Sequence, residues 1–274
     1  MHLDLIQSLS LCGDVTTPND DRAGSSARLA WVIDGATDLS PPGLLGAQGG
    51  AAWLAATADA AFAAGPGDDL GATCAQVFAT VEARYAAQRQ RAPEGAWELP
   101  RASFAAVQLV GDLLEVAWAA DCAVLRATGD TVAWCTPAPD RARESAQAAA
   151  LGPGVGATKL RTPAVLADRR AARARPGQKV LSVDAGESAR AIETAGVAIA
   201  AGDDLLLMSD GMAALVDSYA AYDAAGLMAA LRSRGLAALG GELRAIERSD
   251  AACTRYPRFK ASDDATALWV RVGR

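Results

Sequence analysis

"SFAAVQLVGDLLEVAWAADCAVLRATGDTVAWCT", residues 103–136, decides the fold class. Short apolar runs rich in Val, Leu and Trp are separated by Gly111-Asp112 and by Gly129-Asp130. Gly-Asp pairs between apolar runs are tight-turn signals, so the stretch reads as an antiparallel meander. Upstream, residues 3–11 and 28–33 read as strands, with a polar, turn-rich segment, "GDVTTPNDDRAGSSA" (13–27), between them. Residues 44–64 and 69–91 carry the spacing of two long Ala-rich helices. Downstream, 137–160 reads as a loop with a short helix, 163–175 as a basic helix, 178–183 as a strand and 187–194 as a short helix. "LLLMSDG" (205–211) reads as a strand, 211–217 and 221–247 as helices, and "ATALWVRV" (265–272) as a last strand. Parallel βαβ repeats alternate more strictly than this. The expectation is an α+β fold: antiparallel sheet with helices packed outside it, in one domain over residues 1–274.

The composition narrows the function. A net charge of −6 gives no electrostatic footprint for nucleic acid or for an anionic membrane. The five cysteines are odd in number, widely spaced and lack a CxxC pair, which fits reduced thiols in a cytoplasmic protein. The N-terminal residues lack the basic and apolar regions of a signal peptide. His2 is the sole histidine. Ser-His-Asp and Cys-His mechanisms therefore lack their base, and histidine-rich metal sites lack their ligands. Chemistry, if any, runs on carboxylates.

Four apolar strands have an acid at one end: LAWVI before Asp34, LLEVAWAA before Asp121, LLLMS before Asp210, and ATALWV after Asp263-Asp264. Asp20-Asp21 stands in the polar segment ahead of the second strand. Each acid alone is an ordinary turn residue. Together they describe carboxylates gathered at one sheet edge, which repel one another unless cations fill the space. Oxygen ligands without His or paired Cys favour Mg²⁺ or Mn²⁺, and two such ions activate water against a phosphoryl group. Gly35 and Gly211 follow two of the acids and leave the backbone open beside them.

These segments, in this order, resemble the metal-dependent protein phosphatases of type 2C. "PNDDR" (18–22), "WVIDGAT" (31–37), "AADCAVLR" (119–126), "GDDLLLMSDGM" (202–212) and "SDDATALWV" (262–270) carry the resemblance, which covers nearly the whole chain. It implies a four-layer α-β-β-α architecture, an antiparallel β-sandwich flanked by helices on both faces. It implies hydrolysis of phosphoserine or phosphothreonine in proteins by water activated between two Mg²⁺ or Mn²⁺ ions, without a covalent enzyme intermediate. Asp34 bridges the ions in that scheme and Gly35 offers its carbonyl. Asp210 and Asp263 complete one ion's protein shell, the choice between Asp263 and Asp264 being open. Asp20 serves the other ion directly or through water, Asp21 orients bound water, and Asp121 with Asp210 holds a third ion. The expected partner is a phosphorylated protein, and the expected state a cytoplasmic monomer.

Three departures from the family pattern stand out. The arginine that clamps the substrate phosphate is replaced by Thr16, leaving Arg22, Arg101 or Lys159 to take its place; a hydroxyl does not copy a guanidinium fork. Ala36 stands where some members have a histidine, and Asp20 is one methylene shorter than the usual Glu. The alternative function is accordingly a pseudophosphatase or phospho-partner-binding module with little turnover. "GPGVGATK" (152–159) lacks the Gly-Lys-Ser/Thr order of a phosphate loop. "DRRAARAR" (168–175) reads as solvated surface, with docking of an acidic or phosphorylated partner as the functional alternative.

Overall fold

The computed structural model describes residues 1–158 and 162–274. Its strands are β1 (His2–Leu11), β2 (Asp21–Ser25), β3 (Leu29–Gly35), β4 (Arg101–Val110), β5 (Leu113–Ala119), β6 (Ala123–Thr128), β7 (Thr131–Trp134), β8 (Leu181–Ser182), β9 (Glu193–Ala198), β10 (Asp204–Met208) and β11 (Ala265–Gly273). Its helices are α1 (Gly50–Ala63), α2 (Leu70–Gln88), α3 (Ala142–Ala150), α4 (Val155–Thr158), α5 (Pro163–Arg173), α6 (Ala185–Ala191), α7 (Asp210–Ala213) and α8 (Ala224–Ser249).

The strands form two antiparallel sheets. One has the order β1-β11-β10-β6-β7; the other has the order β2-β3-β4-β5-β9, with β8 added beside β4. Alternation along each strand, with successive side chains on opposite faces, builds the layers. In β3, Ala30 and Val32 point between the sheets, where they meet Val107 of β4, Leu207 of β10 and Val270 of β11. Leu29, Trp31 and Ile33 point the other way, into a core shared with α1 and α2. Leu206 and Trp269 face outward from the first sheet and pack under α8. The four layers are therefore α-β-β-α, as the resemblance implies.

The meander over 103–136 needs correction. It is two hairpins in different sheets: β4 pairs with β5 in one, β6 with β7 in the other. The Gly-Asp turns at 111–112 and 129–130 close those hairpins. Between Ala119 and Ala123 the chain instead crosses the sandwich, through Ala120 at φ 63°. The crossing lacks the Gly-Asp pair of the hairpins; Ala120-Asp121 turn the chain from one sheet into the other.

Other boundaries move for local reasons. The helix expected from residue 44 begins at Gly50, because Gly46 and Gly49 sit at φ 83° and 88° and Asp38 accepts the first helical N–H groups, Gly50 at 2.7 Å and Ala51 at 3.3 Å. α8 is broken at Gly235 (φ 78°), where the Gln7 side chain accepts from the Leu236 N–H at 2.7 Å. Two strands were hidden. β2 lies inside the polar segment, and β9 is a small-residue edge strand held by its pairing with β5. His2 lies in β1 opposite Gly273. No helix among the described residues is long and apolar enough to cross a membrane. Lys159 and the end of "GPGVGATK" lie outside the described residues.

Candidate metal centre and substrate cleft

Asp34 falls on the inner face of β3 by the same alternation that buries Val32, but two residues further out, where the sandwich opens. Its cross-strand neighbours are Asp21 on one side and Ser103 on the other. Ser103 organises the sheet crossing. Its Oγ accepts the N–H groups of Asp121 (3.0 Å) and Cys122 (2.7 Å) and donates to the Ala119 carbonyl (3.2 Å). The crossing therefore turns Asp121 toward Asp34. Asp210 opens α7 at the end of β10. Oxygens of Asp34, Asp121 and Asp210 all lie within 4.8 Å of one another.

The remaining acids surround this group. Asp21 is buried, and its Oδ2 accepts from Ser209 Oγ at 2.7 Å, while its Oδ1 has no hydrogen-bond partner. Asp264 spends its carboxylate on the N–H groups of Gly13 (2.8 Å) and Asp20 (2.6 Å), so it holds two loops together. Asp263, its neighbour, faces the cleft. Gly35 and Gly211 are demanded by neighbouring backbone. A Cβ at Gly35 would stand 2.8 Å from the Asp20 carbonyl and 2.9 Å from that of Ala51, and one at Gly211 would run into the Asp264 carbonyl. Gly211→Ala is therefore expected to cost about 1–3 kcal/mol through forced backbone displacement, lowering the melting temperature of metal-free protein by roughly 3–10 °C. Thermal denaturation followed by circular dichroism checks this; an unchanged midpoint counts against the packing.

The electrostatics are those of crowded carboxylates. Burial, then Asp264 and Asp38, push the Asp20 carboxyl up to about 7. Burial also pushes Asp21 up to about 7, against the Ser209 hydrogen bond. Asp34 is raised well above the usual carboxylate range by burial and then by Asp21 and Asp263. Asp263 goes the other way: burial raises it, but Lys260 and Arg141 outweigh burial. Lys260 Nζ stands 2.5 Å from Asp263 Oδ1. Arg141 donates to Asp210 Oδ2, lies 4.0 Å from Asp263 Oδ2, and keeps a buried Nε with no hydrogen-bond partner.

Asp34, Asp121, Asp210, Asp263, Arg141 and Lys260 line a cleft of about 610 Å³ walled by residues of α3, α5 and the 257–263 loop. Arg101 lines it; Thr16 and Arg22 do not. Thr16 is exposed and bonded to Asp14 Oδ1 through its N–H (2.9 Å) and its hydroxyl (2.7 Å). Arg22 donates to its own loop, the Asn19 (2.8 Å) and Asp21 (2.6 Å) carbonyls. The cleft cations are others: Arg141, Arg143, Arg169, Arg173, Arg258 and Lys260 join Arg101. Sequence reading passed over Arg141 and Lys260. Lys260, three residues before Asp263, was the findable one; Arg141 sits in a polar loop without periodicity. The basic helix is not a solvated face, since Arg170 stacks 4.1 Å from the Trp97 ring centre and Arg173 bonds the Thr37 carbonyl at 3.0 Å.

The donor set fits a hard divalent ion: carboxylate oxygens only, three acids converging, and an orphaned buried oxygen on Asp21 beside them.

No protein-family model matches the chain, and no curated protein matches it. Solved structures do. The Mycobacterium tuberculosis serine/threonine phosphatase PstP superposes with a TM-score of 0.61 at 18% identity, over 100% of both chains. The catalytic domain of a serine/threonine phosphatase PstP in complex with two manganese ions gives 0.58 at 19%, over 100% of this chain and 99% of that one. PppA of Pseudomonas aeruginosa, a regulatory component of T6SS, gives 0.55 at 17%, over 99% and 98%. The chain has the fold of these phosphatases.

Proposed function

We propose that this protein is a Mg²⁺- or Mn²⁺-dependent phosphomonoester hydrolase acting on phosphoserine or phosphothreonine in proteins. The observation that carries the reading is the convergence of Asp34, Asp121 and Asp210 within 4.8 Å at the cleft, in a fold shared with serine/threonine phosphatases. When bound, divalent ions supply a water nucleophile of lowered pKa and positive charge opposite the phosphoryl oxygens. The protein's part is placement. Asp34 is rigid because it ends a core strand, with Gly35 beside it. Asp210 is fixed by the turn into α7, and Asp121 by Ser103. Asp263 adds a carboxylate on the cleft side, while Asp20 and Asp21 complete the acidic wall and hold protons until cations replace them. The guanidinium groups of the cleft attract a phosphorylated segment.

A second reading, a binding module with little turnover, draws on Arg141 and Lys260. They already neutralise Asp210 and Asp263, so the centre is partly satisfied by its own cations.

Phosphate release from a phosphothreonine peptide, with Mn²⁺ against EDTA, separates the two. Release is expected with Mn²⁺ and is expected to fall by about 10³-fold or more in Asp210→Asn, the loss of several kcal/mol of charge stabilisation. No release from protein shown to take up Mn²⁺ selects the binding module.

A further inference from the structure

The cleft holds a pair of arginines, Arg101 and Arg173, that form no salt bridge among the described residues, Asp38 acting on Arg173 only at longer range. Arg101 begins β4 and is 9% exposed, on the cleft wall. Among the described residues its guanidinium has no hydrogen-bond partner; Glu187 acts on it only at longer range. Arg173 ends α5 and lines the same wall. Its hydrogen bond goes to the Thr37 carbonyl, at 3.0 Å.

Register places both groups beside the acids. Ser103 pairs with Asp34, so Arg101 lies two residues further out on the same face of β4, about 7 Å along the strand. The Arg101 carbonyl accepts the Ala36 N–H at 2.9 Å. Arg173 is tied to Thr37. Arg101 by its backbone and Arg173 by its side chain are therefore tied to the stretch 36–37, immediately after Asp34-Gly35. They also repel one another: burial, then Arg101, lowers the Arg173 guanidinium to about 10. A largely buried guanidinium without an ion-pair partner costs free energy, and a second one nearby adds to it. Such a pair is relieved by an anion with several acceptor oxygens, because planar guanidinium forks match phosphate oxygens.

The geometry points to Arg101 and Arg173 as an oxyanion cradle for the phosphoryl group of a phosphorylated substrate, supplying from β4 and α5 the clamp that Thr16 does not. The assignment deepens the phosphatase reading and rests on it for the identity of the substrate, but the cradle itself binds phosphate without turnover. α5, the basic helix, thereby becomes part of the site. Its position is set by Arg170, which donates to the Leu39 carbonyl at 2.6 Å through Nη2 and at 3.1 Å through Nε.

Inorganic phosphate titrated into EDTA-treated protein, followed by calorimetry, tests this directly. Arg101→Met and Arg173→Met are each expected to weaken phosphate binding by about tenfold or more, the loss of a charge-assisted hydrogen bond. Arg101→Lys, which keeps charge but not the fork, falls between. The exposed Arg175→Met should match wild type. Melting temperatures distinguish a cradle from a structural role: removing Arg101, which has no hydrogen-bond partner among the described residues, leaves the midpoint unchanged or raises it, and removing Arg173 gives up only its bond to the Thr37 carbonyl, whereas a fall in both Met variants overturns the assignment. Wild-type affinity in both variants, or no phosphate binding by wild type, overturns it as well. Turnover of a phosphothreonine peptide and of p-nitrophenyl phosphate is measured on the same preparations. A raised KM for both substrates places the reacting phosphoryl in the cradle, and a raised KM for the peptide alone places a flanking phosphate there. Turnover with unchanged KM for both rejects the cradle while leaving the phosphatase reading standing. Phosphate binding lost in the variants without any wild-type turnover keeps the cradle and rejects the phosphatase.

Discussion

Asp34→Asn is expected to make the metal-free protein more stable while abolishing its response to Mn²⁺. Asp34 and Asp21 face each other directly across β2 and β3, and like charges in that relation destabilise a strand pair. Burial adds to the cost of holding both ionised. The amide keeps the shape and removes the charge, a gain of about 1 kcal/mol and roughly 2–4 °C in melting temperature. The same substitution removes one of the three converging carboxylates. Mn²⁺ should then no longer raise the melting temperature, and hydrolysis should fall by about 10³-fold or more. Melting curves with EDTA and with Mn²⁺, on wild type and variant, read both effects. A variant that stays Mn²⁺-stabilised removes Asp34 from the metal site, and one that melts lower in EDTA removes the repulsion argument.

Metal-free protein is also expected to lose stability as pH rises, on the order of 3 kcal/mol between pH 5 and pH 8. Asp20 and Asp21 have their carboxyls raised from 3.8 to about 7 in the folded state, first of all by burial. Between those values the folded chain holds protons that the unfolded chain has released. Stability is therefore fully present below about pH 4 for these groups and is lost as pH climbs through 7. Mn²⁺ reverses the sign, because ions compete with those protons and bind better as the protons leave. The gap between the EDTA and Mn²⁺ melting temperatures should widen steadily from pH 5 to pH 8. A constant gap would mean that the raised acids lie outside the ion-binding group.

How much of this could be read from the residues alone depended on whether the signal was local. Asp34 and Asp210 were legible because each ends a run of apolar residues and is followed by glycine, a conspicuous junction in any sequence. The hairpin turns were legible for the same reason. The sheet crossing at Ala120 was not, because a change of sheet is decided by which surfaces pack, and Asp121 alone reads like any other turn residue. β2 and β9 were missed because edge strands gain their structure from a neighbour, and "ETAGVA" has little propensity of its own. The cleft cations were hidden by composition. An arginine-rich helix looks like solvated surface until Trp97 and the carbonyls of Thr37 and Leu39 are seen to hold it down. Thr16 and Arg22 were chosen by position along the chain, and their side chains are engaged within their own turn and loop.

β11 lies between β1 and β10, and its pairing brings Leu11 opposite Ala265. A contact between residues so far apart in sequence carries a large loop-closure entropy and belongs late in folding. During synthesis β10, Asp204–Met208, emerges with one edge open, waiting for a partner that has not yet left the ribosome. Asp263 and the Asp264 contacts that fix Gly13 and Asp20 arrive only with that partner. The complete set of cleft acids is thus a property of the finished fold. A nascent chain carries Asp34, Asp121 and Asp210 before it carries Asp263, and what it risks in the interval is association through the open edge of β10.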